Sequence, residues 1–164
     1  MMRGMDALID LDAIDRRILA ALQRDGRMTY DELAGAVGLS ASAVLRRVRR
    51  LEAAGVITGY AALVAAERIG LGLCAYISVR LDKRASPAQR TPGEAFRAAV
   101  QVWPEVVECV ALAGEMDYLL CVVVADMPHY ARFVNEALLR HPAVQDVRTS
   151  FVLDRVKAGR VLPV

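Results

Sequence analysis

LSASAVLRRVRRLEAAGVI, residues 39–57, is the stretch on which the character of the whole chain turns. Ser40 stands where a helix N-cap belongs, its side-chain oxygen able to accept an unpaired N–H of the first turn. Gly55 stands where the same helix would stop, in the left-handed position that glycine adopts without steric cost. Between them Val44, Val48 and Leu51 recur at helical period and form one apolar stripe. At about 100° per residue, Ser42, Arg46 and Arg49 fall on the opposite face, with Leu45 and Arg50 flanking it. Arg47 lies nearer the apolar stripe, which gives it a packing or ion-pairing role first. An exposed face of guanidinium groups and a hydroxyl suits phosphate oxygens and guanine edges, because arginine donates a planar fork of N–H groups to both. Such a face also serves solvation alone, so the segments around it decide.

Working outward, two more helix-sized segments precede it. In the first, Asp12 caps, Ile14, Ile18, Leu19 and Leu22 supply the apolar face, and Gly26 ends it. Thr29-Tyr30-Asp31-Glu32 then forms a T-x-x-E capping box. Leu33, Ala34 and Val37 give the second helix its buried side, and Gly38 stops it. A short helix, a glycine-containing turn and a second helix with a basic outer face is the helix-turn-helix arrangement. Periodicity alone also fits a three-helix bundle that binds a protein. Val56–Tyr60 reads as a small strand and turn, a short wing.

The 164 residues allow two small domains, and 55% hydrophobic with 24% charged residues is a globular profile. Net charge is only +2, and residues 1–60 hold nine Arg against eight Asp and Glu. Any affinity for nucleic acid must therefore come from where the charge is placed. Cys74, Cys109 and Cys121 lie in apolar runs without metal-ligand spacing, as expected of reduced cytosolic thiols. The N-terminus, MMRGMDALIDLD, lacks the apolar core of a signal peptide. No uninterrupted apolar run approaches the ~20 residues that span a bilayer. The expectation is a soluble, cytoplasmic protein with no membrane partner and no cofactor.

Ala61–Gly70 reads as a connecting strand and turn, after which the pattern changes. Gly72–Asp82 alternates Ala75, Ile77, Val79 and Leu81 with Cys74, Tyr76, Ser78 and Arg80. Lys83–Arg90 is a polar loop. Thr91-Pro92-Gly93-Glu94 is a second capping box, opening a helix with Phe96, Ala99, Val100 and Trp103 on its apolar face. Glu105–Ala113 and Met116–Ala125 are strands joined by a Gly114-Glu115 hairpin turn. Asp126 opens another helix, which ends at His141-Pro142, and Val144–Leu153 is the last strand. The order β-α-β-β-α-β is ferredoxin-like, with both helices on one face of an antiparallel sheet. The strand Asp117–Val124 is apolar on both faces, so Leu119, Cys121 and Val123 would meet water. At roughly 1.5–3 kcal/mol for each large side chain buried, face-to-face pairing of two sheets is favoured. This predicts an obligate dimer.

Two stretches carry a resemblance. LDAIDRRIL followed by LQRDGRMTYDELAGAVGLSASAVLRRVRRLEAAGVITGY resembles the DNA-binding half of the Lrp/AsnC (feast/famine) transcriptional regulators. PEVVECVALAGEMDYLLCVVVADMPHYARFV and HPAVQDVRTSFVLDRVK resemble the regulatory, amino-acid-binding (RAM) domain of the same family. The resemblance implies an α+β chain: a winged helix-turn-helix domain at 1–60, a linker at 61–69, and a ferredoxin-like effector-binding and oligomerisation domain at 70–164. It implies that the helix from Ala41 to Ala54 enters the major groove of double-stranded DNA. Ser42, Arg46, Arg49 and Arg50 would then read it, with Leu45 against a thymine methyl and Arg27 on a phosphate. It implies a small-molecule effector, usually an amino acid, held where dimers meet by the loop after the second strand. The family's Gly-x-x-Asp pattern is matched by Gly114-Glu115-Met116-Asp117. Loop N–H groups would take the carboxylate and Asp117 the ammonium, with Thr149 and Ser150 as further pocket residues. A plain hairpin whose Asp caps its own backbone fits the same residues. The insert around Lys83–Arg90 is longer than the family pattern, and Met116 stands where an aromatic is common.

The implied function is an effector-modulated, sequence-specific regulator that forms homodimers and, as in the family, tetramers or octamers. Two other functions fit parts of the pattern. One is an architectural, nucleoid-type DNA binder without an effector. The other is an enzyme like the sirohaem decarboxylases, which pair similar domains and rely on histidine and arginine. His129 and His141 are the only histidines, and each sits at a helix boundary where local structure explains it.

Overall fold

The computed structural model describes residues 9–82, 91–157 and 161–164. The Lys83–Arg90 loop and the first residues of the N-terminus lie outside them. The chain forms two compact units, Met1–Leu63 together with Lys157–Val164, and Val64–Val156.

The first unit is built from α1 (Ala13–Arg24), α2 (Tyr30–Val37) and α3 (Ala41–Ala53). Asp12 caps α1 by accepting from the N–H groups of Ile14 and Asp15, and Asp15 reaches back to the Asp12 N–H. The helix stops on Asp25 in extended backbone, one residue before Gly26. Thr29 and Glu32 make the capping box of α2 in full, and Gly38 closes that helix with φ 73°. Ile18, Leu33, Val44, Val48 and Leu51 are buried at the centre, so the apolar stripes of all three helices meet. Residues 56–60 form no strand, contrary to the expected small strand and turn. The Val56 and Ile57 N–H groups both turn back to the Leu51 carbonyl, at 2.9 and 3.2 Å, which takes them out of any ladder. Their side chains pack on the helical core instead.

Leu162 meets the helical unit at Gln23, whose side chain bonds both of its backbone groups, accepting at 2.6 Å and donating at 3.2 Å.

The second unit opens with a 3-10 turn, Ala66–Ile69; of the connecting strand and turn expected over 61–70, the strand does not form. It continues with β1 (Leu73–Leu81), α4 (Pro92–Val100), β2 (Val106–Ala111), β3 (Tyr118–Val124), α5 (Met127–Phe133) and β4 (Val144–Phe151). A π-helical turn, Val134–Leu138, extends α5. The sheet order is β2-β3-β1-β4, antiparallel throughout. Ala75, Ile77, Val79 and Leu81 of β1 face the helices with Tyr118, Leu120, Val122 and Val124 of β3, closing over Phe96, Val100, Phe133 and Leu138. Phe96 and Trp103 meet edge to face at 5.9 Å, and Trp103 meets Phe133 at 5.7 Å.

The other face carries Cys74, Tyr76, Ser78 and Arg80 beside Leu119, Cys121 and Val123. It is less open than alternation implies. Cys121 is only 7% exposed, and Leu119 and Val123 are half-buried. The larger apolar exposure lies at Tyr76 and at Val107 and Val110 of β2.

Candidate nucleic-acid interface and effector loop

The turn from α2 to α3 is set by two residues. Gly38 supplies the left-handed backbone, and Ser40 Oγ accepts from the Ala43 N–H at 3.3 Å, which fixes where α3 begins. With the start fixed, Val44, Val48 and Leu51 are driven fully inward. Ser42, Arg46 and Arg49 then stand in solvent on the opposite side. Neither arginine side chain has a hydrogen-bonded or ion-paired partner among the described residues. Ser42 Oγ lies 3.2 Å from Ser40 Oγ. Leu45 is half-buried at the edge of this face. Arg27 is exposed in the turn after α1, its own N–H bonded to the Asp25 carboxylate at 2.9 Å.

Arg50 stands apart from that group. Its guanidinium turns back to the carboxylate of Asp15, which is fully buried. Arg47 donates to Asp15 Oδ1 at 2.9 Å and to Asp12 Oδ2 at 2.7 Å, so the ion-pairing role expected of it is present. The Asp15 N–H and then Arg47 hold the Asp12 carboxyl down at about 2. A carboxylate at the centre of a helical core is tolerated only when its charge is matched and its lone pairs are filled. Asp15 meets both conditions through α3, which is thereby pinned to α1. Sequence reasoning passed over Asp15, although its spacing with Ile18, Leu19 and Leu22 places it on the inward face of α1. An acidic residue on such a stripe calls for a cationic partner across the core.

In the second unit the residues Gly114 to Asp117 lie together, but not in a tight hairpin. Strand β2 ends at Ala111 and β3 begins at Tyr118, so Leu112–Asp117 is an open loop. Asp117 closes its base: its N–H donates to the Val79 carbonyl at 2.9 Å, and its carbonyl accepts from Leu112 at 2.8 Å. Its Oδ2 also accepts the Leu81 N–H at 2.8 Å. These bonds hold the base of the loop against β1. Oδ1 has no partner among the described residues. Glu115 accepts from Arg148 of β4 at 3.0 Å, while Asp146 lies 3.3 Å from Arg80. Met116 is half-buried, and Gly114 is exposed with nothing near the position a Cβ would take.

Thr149 and Ser150 are separated by the pleat. Thr149 pairs with Ile77 on the helix side, its hydroxyl 2.6 Å from that of Tyr130. Ser150 pairs with Tyr76 on the open face. Adjacent strand residues point to opposite faces, so the two hydroxyls do not line one pocket. The histidines are engaged locally: His129 sits in the first turn of α5, with Nε2 3.3 Å from Glu105, and His141 stands edge-on to Phe96.

Residues 11–58 match the winged helix-turn-helix DNA-binding family, and residues 74–162 match the Lrp/AsnC ligand binding domain. The leucine-responsive regulatory protein of Salmonella typhimurium is 43% identical over 153 residues, covering 93% of this chain and 91% of the relative. That of Escherichia coli K12 is 42% identical over the same coverage. Among solved structures, a transcriptional regulator of Neisseria meningitidis in complex with L-Met superposes with a TM-score of 0.88. It is 45% identical and covers 94% of this chain and 97% of its own. An AsnC family transcriptional regulator from Agrobacterium tumefaciens superposes with a TM-score of 0.82 at 32% identity, covering 93% of this chain and 96% of its own. The capped α2-turn-α3 unit and the βαββαβ sheet with its open β2–β3 loop are thus the two halves of one known design, and the chain belongs to the Lrp/AsnC family of transcriptional regulators.

Proposed function

We propose that this chain acts as a dimeric, amino-acid-responsive regulator in the cytoplasm, reading double-stranded DNA through the outer face of α3. The observation that carries the DNA assignment is the division of labour among four arginines. Asp15 engages Arg47 and Arg50, while Arg46 and Arg49 stand exposed beside Ser42, without a partner among the described residues. Arg46 and Arg49 take base edges or phosphates, Ser42 takes a phosphate or base edge, and Leu45 meets a thymine methyl. Arg27 holds a flanking phosphate. Arg50 contributes through the placement of α3, with its outer N–H groups available to the backbone of DNA.

The effector is a small zwitterion. The loop backbone at Gly114, Glu115 and Met116 offers N–H groups to a carboxylate, and Asp117 Oδ1 offers a counter-charge to an ammonium. The neisserial relative was crystallised with L-Met, which favours an amino acid here as well. Thr149 and Ser150 play at most an indirect part, one under α5 and one on the open face. Dimers form through the open face of the sheet, where Tyr76, Val107 and Val110 are 37, 57 and 40% exposed. Pairing presents two copies of α3 to a palindromic site, with half-sites about 34 Å apart, and dimers assemble further into tetramers or octamers. The chain is not an enzyme on this reading, since His129 and His141 are spent on local structure.

The test is a gel shift on the chain's own upstream region, with and without each of the twenty amino acids, paired with a thermal-shift screen. One amino acid should raise the melting temperature and change the affinity for that DNA. Equal binding to all duplexes, lost uniformly with salt and indifferent to amino acids, would instead mark an architectural DNA binder.

A further inference from the structure

Tyr60 lies just past Val56 and Ile57, which pack on the helical core, and it turns back onto the reading helix. Its hydroxyl donates to Glu52 Oε1, in the last turn of α3, at 3.0 Å. Its ring edge lies 3.5 Å from the point a Cβ on Gly26 would take, so the phenol reaches from the turn after α1 to the end of α3. Burial first, and then the Glu52 bond, push the Tyr60 hydroxyl up to about 12, although 53% of the residue is exposed. Gly59, immediately before it, stands at φ 154°, backbone that side chains rarely adopt. DNA reading and effector binding as described above use neither Tyr60 nor Glu52.

Beyond Tyr60 the connection is short. Ala61, Ala62 and Leu63 are exposed, and the second unit begins at Val64. Without the bond to Glu52 the free stretch would start after Ile57 and run from Thr58 to Leu63, six residues instead of three. Three more residues add up to about 10 Å of reach. That is about three base pairs of duplex, at roughly 3.4 Å each.

We propose that Tyr60 and Glu52 are positioning residues that set the half-site separation this regulator accepts. The inference rests on the reading that α3 enters the major groove and that the chain works as a dimer. The phenol ties the outgoing chain to the reading helix itself, so helix and connection move as one body. The returning segment is fastened to α1 at Gln23, and the outgoing one to α3 at Glu52. A dimer tethered in this way engages both half-sites only at a matching separation, and elsewhere the gain from the second contact is lost.

The experiment is fluorescence anisotropy of the full-length protein on a palindromic duplex that it selects from a random-sequence pool, with the central spacer then changed by one to three base pairs. Away from the best spacer, the parent and Glu52→Gln should lose affinity on the order of 100-fold, whereas Glu52→Ala and Tyr60→Phe should lose less than about tenfold. Glutamine keeps an oxygen that accepts from the phenol, and alanine does not. Both remove the charge, so their difference isolates the hydrogen bond. Identical profiles for all four chains, sharp or flat, or equal broadening of Glu52→Gln and Glu52→Ala, would overturn the proposal and leave DNA reading by α3 in place. A parent chain that selects no palindrome would remove this inference and the dimeric reading of DNA together.

Discussion

Arg47 Nη1 lies 2.9 Å from Oδ1 of Asp15, a carboxylate with no exposed surface, and this pair joins the first helix of the DNA-binding unit to the third. Arg50 completes the shell around the same carboxylate. Beside its apolar contacts, α3 is therefore tied to α1 through one buried carboxylate and two cations drawn from α3 itself.

Removing those cations should cost stability, while removing their neighbours should not. Arg47→Ala leaves Asp15 with Arg50 alone and should lower unfolding free energy by about 2 kcal/mol. The double variant with Arg50→Ala strands the carboxylate and should cost about 3–5 kcal/mol. Arg46→Ala and Arg49→Ala should stay within about 0.5 kcal/mol of the parent. Urea unfolding followed by circular dichroism gives all four values, and equal losses across them would contradict the division.

The opposite ranking is expected for DNA. Arg46→Ala should weaken binding to a cognate site by about 1–3 kcal/mol if it reads a base, with melting temperature and assembly unchanged. Fluorescence anisotropy at fixed salt, alongside sedimentation, measures both. Unaltered affinity would remove Arg46 from the interface.

Asp117 has a structural bond and a proposed ligand role, which two substitutions separate. Asp117→Ala loses the acceptor for the Leu81 N–H and should cost about 1–2 kcal/mol as well as any amino-acid response. Asp117→Asn keeps an oxygen for Leu81 but has no charge for an ammonium. Its stability should return toward the parent while the response stays absent. A variant with both restored would show that Asp117 only shapes the loop.

Acid should act on the helical unit through Asp12. Its folded-state pKa of about 2 lies below the ordinary value of 3.8, so its contribution is present above pH 4. That contribution fades as pH falls through the folded pKa. Asp12→Asn should therefore flatten the stability profile between pH 4 and 2 relative to the parent. Chemical denaturation at stepped pH measures the slope, and parallel profiles would rule the effect out.

The helices, both T-x-x-E capping boxes and the strand order were legible because local rules and tertiary packing agree there. Thr29, Gly38, Ser40 and Thr91 each do what their types do in isolation. The burial alternation of β1 follows for the same reason, one face meeting α4 and α5 and the other not. What escaped was set by partners distant in sequence. The loop 112–117 is fastened at its base to Val79 and Leu81 of β1 through Asp117, whereas turn residues alone suggest a tight hairpin. Val56 and Ile57 look like a strand until the Leu51 carbonyl claims their amides. Arg50 looks equivalent to Arg46 and Arg49 until a carboxylate on another helix is placed beside it. Thr149 and Ser150 are neighbours in sequence, and in a strand that sends their side chains to opposite faces.

The bonds between Gln23 and the backbone of Leu162 carry a last implication. Because the polypeptide comes back to its first helix, the sensory sheet is an excursion within the DNA-binding unit, leaving near Leu63 and rejoining near Lys157. The chain therefore passes between its two units twice, once near Leu63 and once near Lys157, and the returning segment is fastened to α1 by those two hydrogen bonds.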